Sequence, residues 1–320
     1  MTCSASPPES LLPARLGADG SFSLYSPRFG EGFHGAIGAL REAQLKAVEP
    51  AQLERFPAGS QLRVVDVGFG LGTNSAALLE AAGPRGLSLA IHGLELEAAP
   101  LHTALAAPPF RRQWQPATLA LLEQLLHAPA TTGRASLGPH TATLHWGDAR
   151  RRLPALLGEG QLAGQVDLVV LDAFSPQHCP ELWSLEFLGQ LARLLKPQGR
   201  LLTYCCAAAV RHSLRRAGLQ LASIQPPAAL SVGGGPTWSF GTAASPTALV
   251  GNSQTSDGPL RPLTAMELEH LHTRAAEPYR DPDGQAPAAA ILAARQRAQA
   301  ASTASSTSAW RRRWGLERAT

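Results

Sequence analysis

A strand that runs into a glycine-rich turn and then into a helix constrains the fold of this chain more than any other feature. Residues 62–67 are rich in β-branched side chains and predict a buried strand. Glycines follow at positions 68, 70 and 72, and residues 75–82 then have the pattern of a helix that Gly83 ends. Glycine lets the backbone pass close to a ligand, and the N-terminus of a helix favours an anionic group. The segment therefore predicts a ligand-binding turn at the carboxyl end of a strand.

Strands and helices continue to alternate after this segment. The sequence predicts further strands at 87–96, 141–146, 166–171 and 200–206, helices at 101–106, 117–127, 149–157, 180–195 and 208–217, and a closing hairpin of 219–225 with 247–251. This alternation is typical of an α/β fold in which helices cover both faces of a mostly parallel sheet. We expect seven strands, of which the last is antiparallel. Ligands of such sheets bind at the carboxyl ends of the strands.

Changes in composition and residue pattern divide the chain into four segments. Residues 1–20 predict a flexible lead-in, residues 21–60 a flap segment, residues 61–251 the sheet domain, and residues 252–320 a C-terminal extension that is helical and partly disordered. Within the C-terminal extension, residues 310–314 place three arginines between two tryptophans. Such side chains can grip RNA phosphates and stack on a base, but a solvated, disordered basic tail is the interpretation that we favour.

Composition and charge limit the classes of protein that remain. Hydrophobic residues make up 44% of the 320 residues, enough for one sizeable core. No run approaches the roughly eighteen apolar residues that span a bilayer, and the N-terminus lacks the apolar stretch of a signal peptide, so we expect a cytoplasmic protein that does not contact a membrane. The four cysteines form no C-x-x-C pair, which favours free thiols and no metal site. The net charge of +4 permits a nucleic-acid partner without requiring one.

Acidic residues follow the predicted strands at the positions where this fold places its sites. Glu95 ends the second strand, where a carboxylate can accept both hydroxyls of a ribose. Asp148 follows the third strand, where it can alternatively cap the next helix. Asp172 follows the fourth strand, where a carboxylate can orient an amine and take up its proton. Together with Asp66, which precedes the glycine turn, these residues predict one crevice that encloses a ligand.

The glycine turn has the spacing G-x-G-x-G after an acidic residue, which resembles the first motif of class I methyltransferases. Two further segments accompany it: residues 23–34, SLYSPRFGEGFH, and residues 171–176, LDAFSP, with PELW at 180–183. Together these motifs resemble the methyltransferase family of the MnmC/MnmD type. That family transfers a methyl group from S-adenosylmethionine to the exocyclic amine of 5-aminomethyl-2-thiouridine, the wobble uridine of certain tRNAs, and produces 5-methylaminomethyl-2-thiouridine.

The resemblance implies a Rossmann-like class I methyltransferase domain over residues 61–251, S-adenosylmethionine as cofactor and tRNA as partner. It also implies a functional partnership with the enzymes that make the 5-aminomethyl or 5-carboxymethylaminomethyl group. A flavin oxidase follows the methyltransferase in two-domain members, but the residues after 251 are too few for one, so we expect no FAD and no metal. The residues implied for the cofactor are Asp66, Gly68, Phe69, Gly70, Gly72, Thr73, Asn74, Glu95, Asp148 and Asp172, of which Asp172 is also catalytic. The residues implied for the substrate, or for a flap over it, are Tyr25, Phe33, His34, Glu42, Phe174 and Pro176.

The sequence departs from the family pattern at a few positions. Gly35 and Ala43 stand where a serine and a serine or threonine are usual, and the pair His178-Cys179 replaces Lys-Asn. The last departure lies beside the predicted catalytic loop, so it concerns the substrate more than the cofactor.

Two other functions stay open. A polyamine-type aminopropyltransferase would use the same scaffold with a decarboxylated cofactor, but it needs further carboxylates to hold a polycation, and the loop of Asp172 supplies only Glu181. A non-catalytic RNA-binding relative would keep the fold and lose the cofactor. A nicotinamide dehydrogenase would require the spacing G-x-G-x-x-G, which the turn does not have.

Overall fold

Strands and helices alternate along the chain in the computed structural model, which describes residues 12–127, 132–158, 162–226, 239–249 and 258–316. The strands are β1 (Ala14–Leu16), β2 (Phe22–Ser26), β3 (Glu31–Gly32), β4 (Gln61–Val67), β5 (Ser88–Glu95), β6 (Thr132–Leu137), β7 (His140–Trp146), β8 (Val166–Leu171), β9 (Leu195–Thr203), β10 (Gln220–Ile224), β11 (Gly241–Ser245) and β12 (Leu260–Pro262). The helices are α1 (Ala39–Ala43), α2 (Glu49–Ala51), α3 (Thr73–Ala82), α4 (Ala99–Ala106), α5 (Pro108–Arg111), α6 (Pro116–His127), α7 (Ala149–Leu157), α8 (Leu185–Leu194), α9 (Ala208–Arg216), α10 (Ala265–His270), α11 (Ala288–Ala301) and α12 (Thr307–Arg313). A π-helical stretch, Gln44–Val48, joins α1 to α2, and short 3-10 turns include Pro180–Trp183 and Arg274–Ala276.

The central sheet has nine strands within the described ranges, in the order β12-β10-β11-β9-β8-β4-β5-β7-β6. The pairs among β9, β8, β4, β5 and β7 are parallel, and the strands at both edges pair antiparallel. The expected α/β fold with a mostly parallel core is therefore confirmed, but the expected number of seven strands is wrong. The additional strands β6 and β12 lie at the two edges, where one side of the strand lacks a partner and the apolar pattern is weakest.

Helices cover both faces of the sheet because the side chains of each central strand alternate between two cores. In β8, Leu168 and Val170 pack into one core, whereas Val169 and Leu171 pack into the other. The first core holds residues of α3, α4 and α6, and the second holds residues of α7, α8 and α9. All six residues of β8 are buried, which explains why its sequence is apolar without alternation.

Most predicted elements lie within a few residues of the observed ones, and the differences have local causes. The predicted helix 180–195 is interrupted, because a 3-10 turn covers Pro180–Trp183 and the hydroxyl of Ser184 then caps α8 by accepting the N–H of Phe187 at 3.2 Å. The predicted strand 247–251 is wrong, since β11 lies earlier in the chain, and residues 250–251 lie outside the described residues. β11 consists of small, fully buried residues and therefore lacks the β-branched pattern of the other central strands.

The N-terminal segment forms a separate antiparallel sheet, β1-β2-β3, that packs on the main core. The ring of Phe22 in β2 lies edge-on to Phe110 with 6.1 Å between the centroids. The hydroxyl of Ser21 accepts the N–H of Ala39 at 2.6 Å and so joins this sheet to α1. These contacts hold β2 and β3 beside the carboxyl ends of the central strands.

The C-terminal extension packs against the sheet domain over its described residues. The N–H of Leu185 donates to the carbonyl of Tyr279 at 2.9 Å, and Ile291 of α11 is buried in the second core. The interpretation of residues 310–314 as a solvated, disordered tail is wrong, because α12 is folded and Trp310 is 3% exposed. Its indole stacks on His270 and donates to the carbonyl of Met266 at 3.0 Å. The apolar ring of Trp310, rather than the charge of the arginines around it, determines where this helix lies.

A buried carboxylate joins α10 of the C-terminal extension to the edge of the main sheet. Glu267 accepts hydrogen bonds from Arg211 at 3.1 Å, from Arg261 at 2.6 Å and from Ser223 at 3.0 Å. Burial opposes its ionisation, but the hydrogen bonds, chiefly from Arg261 and Ser239, lower the pKa of Glu267 to about 2. The extension is thus attached through a fully satisfied ionic cluster.

Among the helices of the described ranges, none combines the length and the apolar composition needed to cross a membrane.

We expect Trp310→Ala to lower the free energy of unfolding by about 3 kcal/mol or more, because it removes a buried aromatic side chain and the anchor of α12. Trp314→Ala is the matched control. Trp314 lies four residues after Trp310, at the C-terminal end of α12, but it is only partly buried, and its indole donates to Glu269 at 2.9 Å. Urea denaturation of both variants tests this. An equal, small loss in the two variants would contradict the docking of α12.

Candidate active site

A cavity of about 470 Å³ opens at the carboxyl ends of β4, β5, β7 and β8. Its size is ordinary for a site that binds a cofactor-sized molecule. It is lined by a subset of the residues that sequence reasoning selected: Gly68, Gly70, Glu95, Asp148 and Asp172 of the cofactor set, and Phe33, His34, Glu42 and Phe174 of the substrate or flap set.

The remaining predicted residues do not line this cavity. Four of them, Asp66, Phe69, Gly72 and Thr73, are buried. The side-chain amide of Asn74 contacts Asp172, and Tyr25 and Pro176 lie outside the lining. Asp66 accepts the hydroxyl of Ser75 at 2.6 Å, which joins the end of β4 to the first turn of α3. Its other oxygen has no hydrogen-bond partner, and burial raises the pKa of Asp66 to about 7. Asp66 therefore supports the turn from below.

The glycine turn depends on conformations that other residues rarely adopt. Gly68 and Gly70 have φ values of 78° and 56°, in the left-handed region. A Cβ atom on Gly68 would lie 2.8 Å from the carbonyl oxygen of Asp172, so the turn and the loop after β8 touch backbone to backbone. A Cβ on Gly70 would lie 3.2 Å from the ring of Phe33. The absence of side chains here leaves the floor of the cavity open.

Glu95 ties the next strand end to this turn. Its carboxylate accepts the N–H of Gly70 at 2.7 Å and the N–H of Leu96 at 2.7 Å. Burial raises the pKa of Glu95, although these hydrogen bonds act in the opposite direction. The side chain therefore lies between the glycine turn and the cavity, where a hydroxyl-bearing ligand can reach it.

Asp148 caps α7, which is one of the two roles that the sequence allowed for it, and it also lines the cavity. Its carboxylate accepts the N–H of Arg150 at 2.9 Å and two guanidinium nitrogens of the same residue. Burial opposes ionisation of Asp148, but the contacts with Arg150 outweigh it and lower the pKa.

Asp172 lies at the junction of the two strand ends that form the floor of the cavity. Its N–H donates to the carbonyl of Val67 at 2.9 Å, and its carboxylate accepts the amide N–H of Asn74 at 2.7 Å. Burial raises the pKa of Asp172 to about 6. The carboxylate is therefore ionised at neutral pH yet basic enough to accept a proton.

The β2–β3 hairpin closes the cavity through Glu31, a residue that sequence reasoning missed although it lies within the quoted motif of residues 23–34. Glu31 accepts the N–H of Ser175 at 2.8 Å and its hydroxyl at 2.6 Å, and it pairs with His178 at 2.9 Å. Phe29 stacks on Phe174 with 4.4 Å between the ring centroids. The hairpin is thus attached directly to the loop that follows Asp172.

Lys46, which sequence reasoning also missed, pairs with Glu42 on the cavity wall at 2.8 Å. Both side chains project from the helical segment that contains the π-helical stretch, a local geometry that is frequent at functional sites. Glu42 also accepts the N–H of Gly35 at 2.9 Å, and a Cβ on Gly35 would lie 2.7 Å from its carboxylate. This close approach gives a physical reason for glycine at a position where the family usually has serine.

The histidine and cysteine side chains that line the cavity are uncharged. The imidazole of His34 shares a hydrogen bond of 2.9 Å with Ser23, and burial lowers the pKa of His34 to about 4, so the ring is neutral. Cys179, Cys205 and Cys206 are free thiols, as expected, and Cys3 lies outside the described residues. Burial raises the pKa of Cys179 to about 12, which keeps this cavity-lining thiol protonated.

The residues that line the cavity fit a nucleoside that carries a methionine-like tail. The bare backbone of Gly68 and Gly70 leaves room for an extended chain, Glu95 offers a carboxylate beside it, and Asp148 offers a second acceptor at the next strand end. Within the residues that the structure describes, no group of three or more His, Cys, Asp or Glu side chains is arranged to hold a metal ion.

Comparison with known proteins agrees with this geometry. A family model described as S-adenosyl-L-methionine-dependent methyltransferase matches residues 112–229. The tRNA 5-methylaminomethyl-2-thiouridine biosynthesis bifunctional protein MnmC of Cupriavidus necator is 33% identical over 232 residues, which are 67% of this chain and 33% of that protein. The MnmC of Delftia acidovorans is 32% identical over 214 residues, 62% of this chain and 31% of that protein. The chain thus spans about a third of the length of these curated relatives.

A solved structure extends the similarity to nearly the whole chain. The crystal structure of MnmC2 from Aquifex aeolicus superposes with a TM-score of 0.72 and 27% sequence identity, and it covers 92% of this chain and 87% of that one.

The fold, the glycine turn and the matching family model define this chain as an S-adenosylmethionine-dependent methyltransferase of class I. Within that class, the chain is a homologue of the MnmC proteins and of MnmC2, which confirms the resemblance first seen in its motifs.

We expect Gly68→Ala to weaken binding of S-adenosylhomocysteine by about tenfold or more, because the methyl group would collide with the backbone of Asp172 in a left-handed conformation. Gly59→Ala is the matched control: Gly59 has a φ of 83°, but a Cβ there meets nothing within 4 Å. Isothermal titration calorimetry measures both. Equal affinities in the two variants would show that the close approach at Gly68 is unimportant for the site.

Proposed function

We propose that this chain transfers the methyl group of S-adenosylmethionine to the exocyclic amine of 5-aminomethyl-2-thiouridine at the wobble position of tRNA, giving 5-methylaminomethyl-2-thiouridine. The single observation that carries the proposal is Asp172, a carboxylate with a raised pKa that lies beside the glycine turn at the floor of the cavity. The MnmC relatives support the nucleoside, because their names refer to the biosynthesis of this modification in tRNA.

The residues of the cavity divide between the two reactants. Gly68 and Gly70 would hold the methionine part of the cofactor, Glu95 the ribose and Asp148 the adenine. When bound, S-adenosylmethionine supplies a methyl group on a positively charged sulfur, which an amine can attack without further activation. Phe33 and Phe174 lie edge to face, 5.1 Å apart, on the side of the β2–β3 hairpin, where they can contact the substrate base.

Asp172 would orient the amine and receive its proton. An amine is a nucleophile only in its neutral form, and methylation would leave one excess proton on its nitrogen, which a neighbouring carboxylate could accept. The carboxylate of Asp172 accepts a hydrogen bond from Asn74, which fixes its orientation, and it is only partly exposed to solvent. Alignment supplies much of the rate enhancement in such a direct displacement, and fixed side chains supply alignment.

The negative charge of the cavity wall suits an amine substrate, which is cationic in solution and reacts in its neutral form. Carboxylates predominate, since Glu31, Glu42 and Glu181 line the wall together with Lys46. Arg28, an exposed residue at the cavity with its guanidinium 5.4 Å from the ring of Phe29, is placed to contact a phosphate of an RNA ligand. The substrate amine requires a preceding enzyme, so we also propose a functional partnership with the enzymes that make the 5-aminomethyl or 5-carboxymethylaminomethyl group.

A small polyamine is the alternative substrate, and one observation favours it. Glu181 lines the cavity, and one of its carboxylate oxygens is buried without a hydrogen-bond partner. Such an oxygen could accept an N–H from an extended amine. The reaction would then be an aminopropyl transfer from decarboxylated S-adenosylmethionine.

Methylation of tRNA that carries unmethylated 5-aminomethyl-2-thiouridine distinguishes these functions. The purified chain and S-adenosylmethionine should convert this nucleoside into 5-methylaminomethyl-2-thiouridine, as detected by mass spectrometry of digested tRNA. Parallel reactions contain putrescine with decarboxylated S-adenosylmethionine. An unchanged tRNA profile from protein that still binds S-adenosylhomocysteine would remove the proposed substrate and leave the methyltransferase class intact.

We expect Asp172→Asn to reduce turnover by about 100-fold or more while the affinity for S-adenosylhomocysteine changes by no more than about twofold. The wild-type rate should fall as the pH drops through about 6, because the raised pKa of Asp172 means that its carboxylate becomes protonated there and can no longer accept a proton. The variant lacks this titration. Parallel loss of cofactor binding and turnover would instead make Asp172 a structural residue.

A further inference from the structure

We infer that Asp281, in the C-terminal extension, positions Asp148 for the adenine of S-adenosylmethionine through the guanidinium of Arg150. The inference makes part of the C-terminal extension a component of the cofactor site. It rests on the role proposed above for Asp148.

Arg150 bridges the two carboxylates through different edges of its planar guanidinium group. Its Nε and Nη2 donate to Asp148 at 3.1 and 2.7 Å, and its Nη1 donates to Asp281 at 2.8 Å and to the carbonyl of Ala286 at 2.9 Å. Both carboxylates raise the pKa of Arg150 beyond its already high value, although burial acts in the opposite direction. The guanidinium is rigid and planar, so fixing Nη1 also fixes the edge that faces Asp148.

Asp281 is the immobile end of this bridge. Its side chain is 1% exposed, and its second oxygen accepts the N–H groups of Gln285 and Ala286 at 3.1 and 2.9 Å. Its own N–H donates to Glu186 of α8 at 2.8 Å. The carboxylate is therefore held by a turn of the extension that is itself attached to the sheet domain.

Asp148 is the exposed end, because its side chain is 29% exposed and lines the cavity. A carboxylate has roughly four acceptor positions. Three N–H groups of Arg150 contact these positions, and that of Nε is shared between the two oxygens at 3.1 and 3.2 Å, so about one acceptor position remains for a ligand. Arg150 thus determines which lone pair faces the cavity, and an exocyclic amino group of adenine is a donor of suitable kind for it.

Loss of the contact between Asp281 and Arg150 should change which ligand base the site prefers. Without the contact to Asp281, Arg150 can rotate, and Asp148 then presents its acceptor to the cavity in several orientations. Adenine donates at its 6-position, whereas hypoxanthine carries a carbonyl there that a fixed carboxylate repels. A cofactor site with an oriented Asp148 should therefore prefer an adenine ligand strongly, and a site with a loose Asp148 should not.

The test measures binding of S-adenosylhomocysteine and S-inosylhomocysteine to the full chain by calorimetry, without RNA. We expect Asp281→Asn to weaken S-adenosylhomocysteine binding by about tenfold and to leave S-inosylhomocysteine binding within about twofold. Because no RNA is present, failure of the proposed tRNA substrate does not affect the binding result.

Glu186→Gln is the matched control, since Glu186 holds the same turn through Arg280 and Asp281 but does not contact Arg150. It should retain the preference for the adenine ligand. If Asp281→Asn does not fold, Arg150→Lys provides the same readout, because one ammonium group cannot reproduce the planar bridge between the two carboxylates. Equal weakening of both ligands, or an unchanged preference in the variants of Asp281 or Arg150, would overturn the inference.

Discussion

The close approach of two strand ends is the constraint on which the rest of the site depends. Parallel pairing of β4 with β8 brings Val67 level with Leu171, and the N–H of Asp172 then donates to Val67. The turn after β4 can continue only because Gly68 has no Cβ, since such an atom would lie 2.8 Å from the carbonyl oxygen of Asp172. One backbone contact therefore sets both the cradle for the cofactor and the position of the carboxylate that faces it.

Buried charges in this molecule are of two kinds, and the difference follows from their partners. Asp66 is buried, and Glu95 and Asp172 are half-buried; all three accept hydrogen bonds without a paired arginine, and desolvation raises the pKa of each. Glu267 and Asp148 contact arginines, which lower their pKa values despite burial. Of the first kind, Glu95 and Asp172 line the cavity, where perturbed carboxylates are typical of chemistry, and Asp66 lies behind the glycine turn. Of the second kind, Glu267 attaches the C-terminal extension, and Asp148 is paired with the arginine that leads to it.

The sequence predicted the elements that have a clear hydrophobic pattern. Strand β8 and helix α7 have the predicted bounds, because an apolar run survives in the strand and an amphipathic period in the helix. Strand β11 was placed wrongly because its small residues, including Ala243 and Ala244, fill tight spaces instead of following a hydrophobic pattern. The edge strands β6 and β12 were missed, since a strand with one neighbour needs little apolar surface.

The same contrast between local sequence patterns and tertiary contacts holds for the residues of the site. The sequence by itself determined the glycine turn and the acidic residues at the strand ends, because strand, turn and helix N-terminus are neighbours along the chain and their geometry is local. Only the tertiary structure decided that Asp66 lies behind the turn, that Glu31 contacts the loop of Asp172, and that Asp281 reaches Arg150. The last two contacts join residues more than a hundred positions apart. No local pattern encodes such a pairing, since it arises only when the sheet has brought both segments to the same edge.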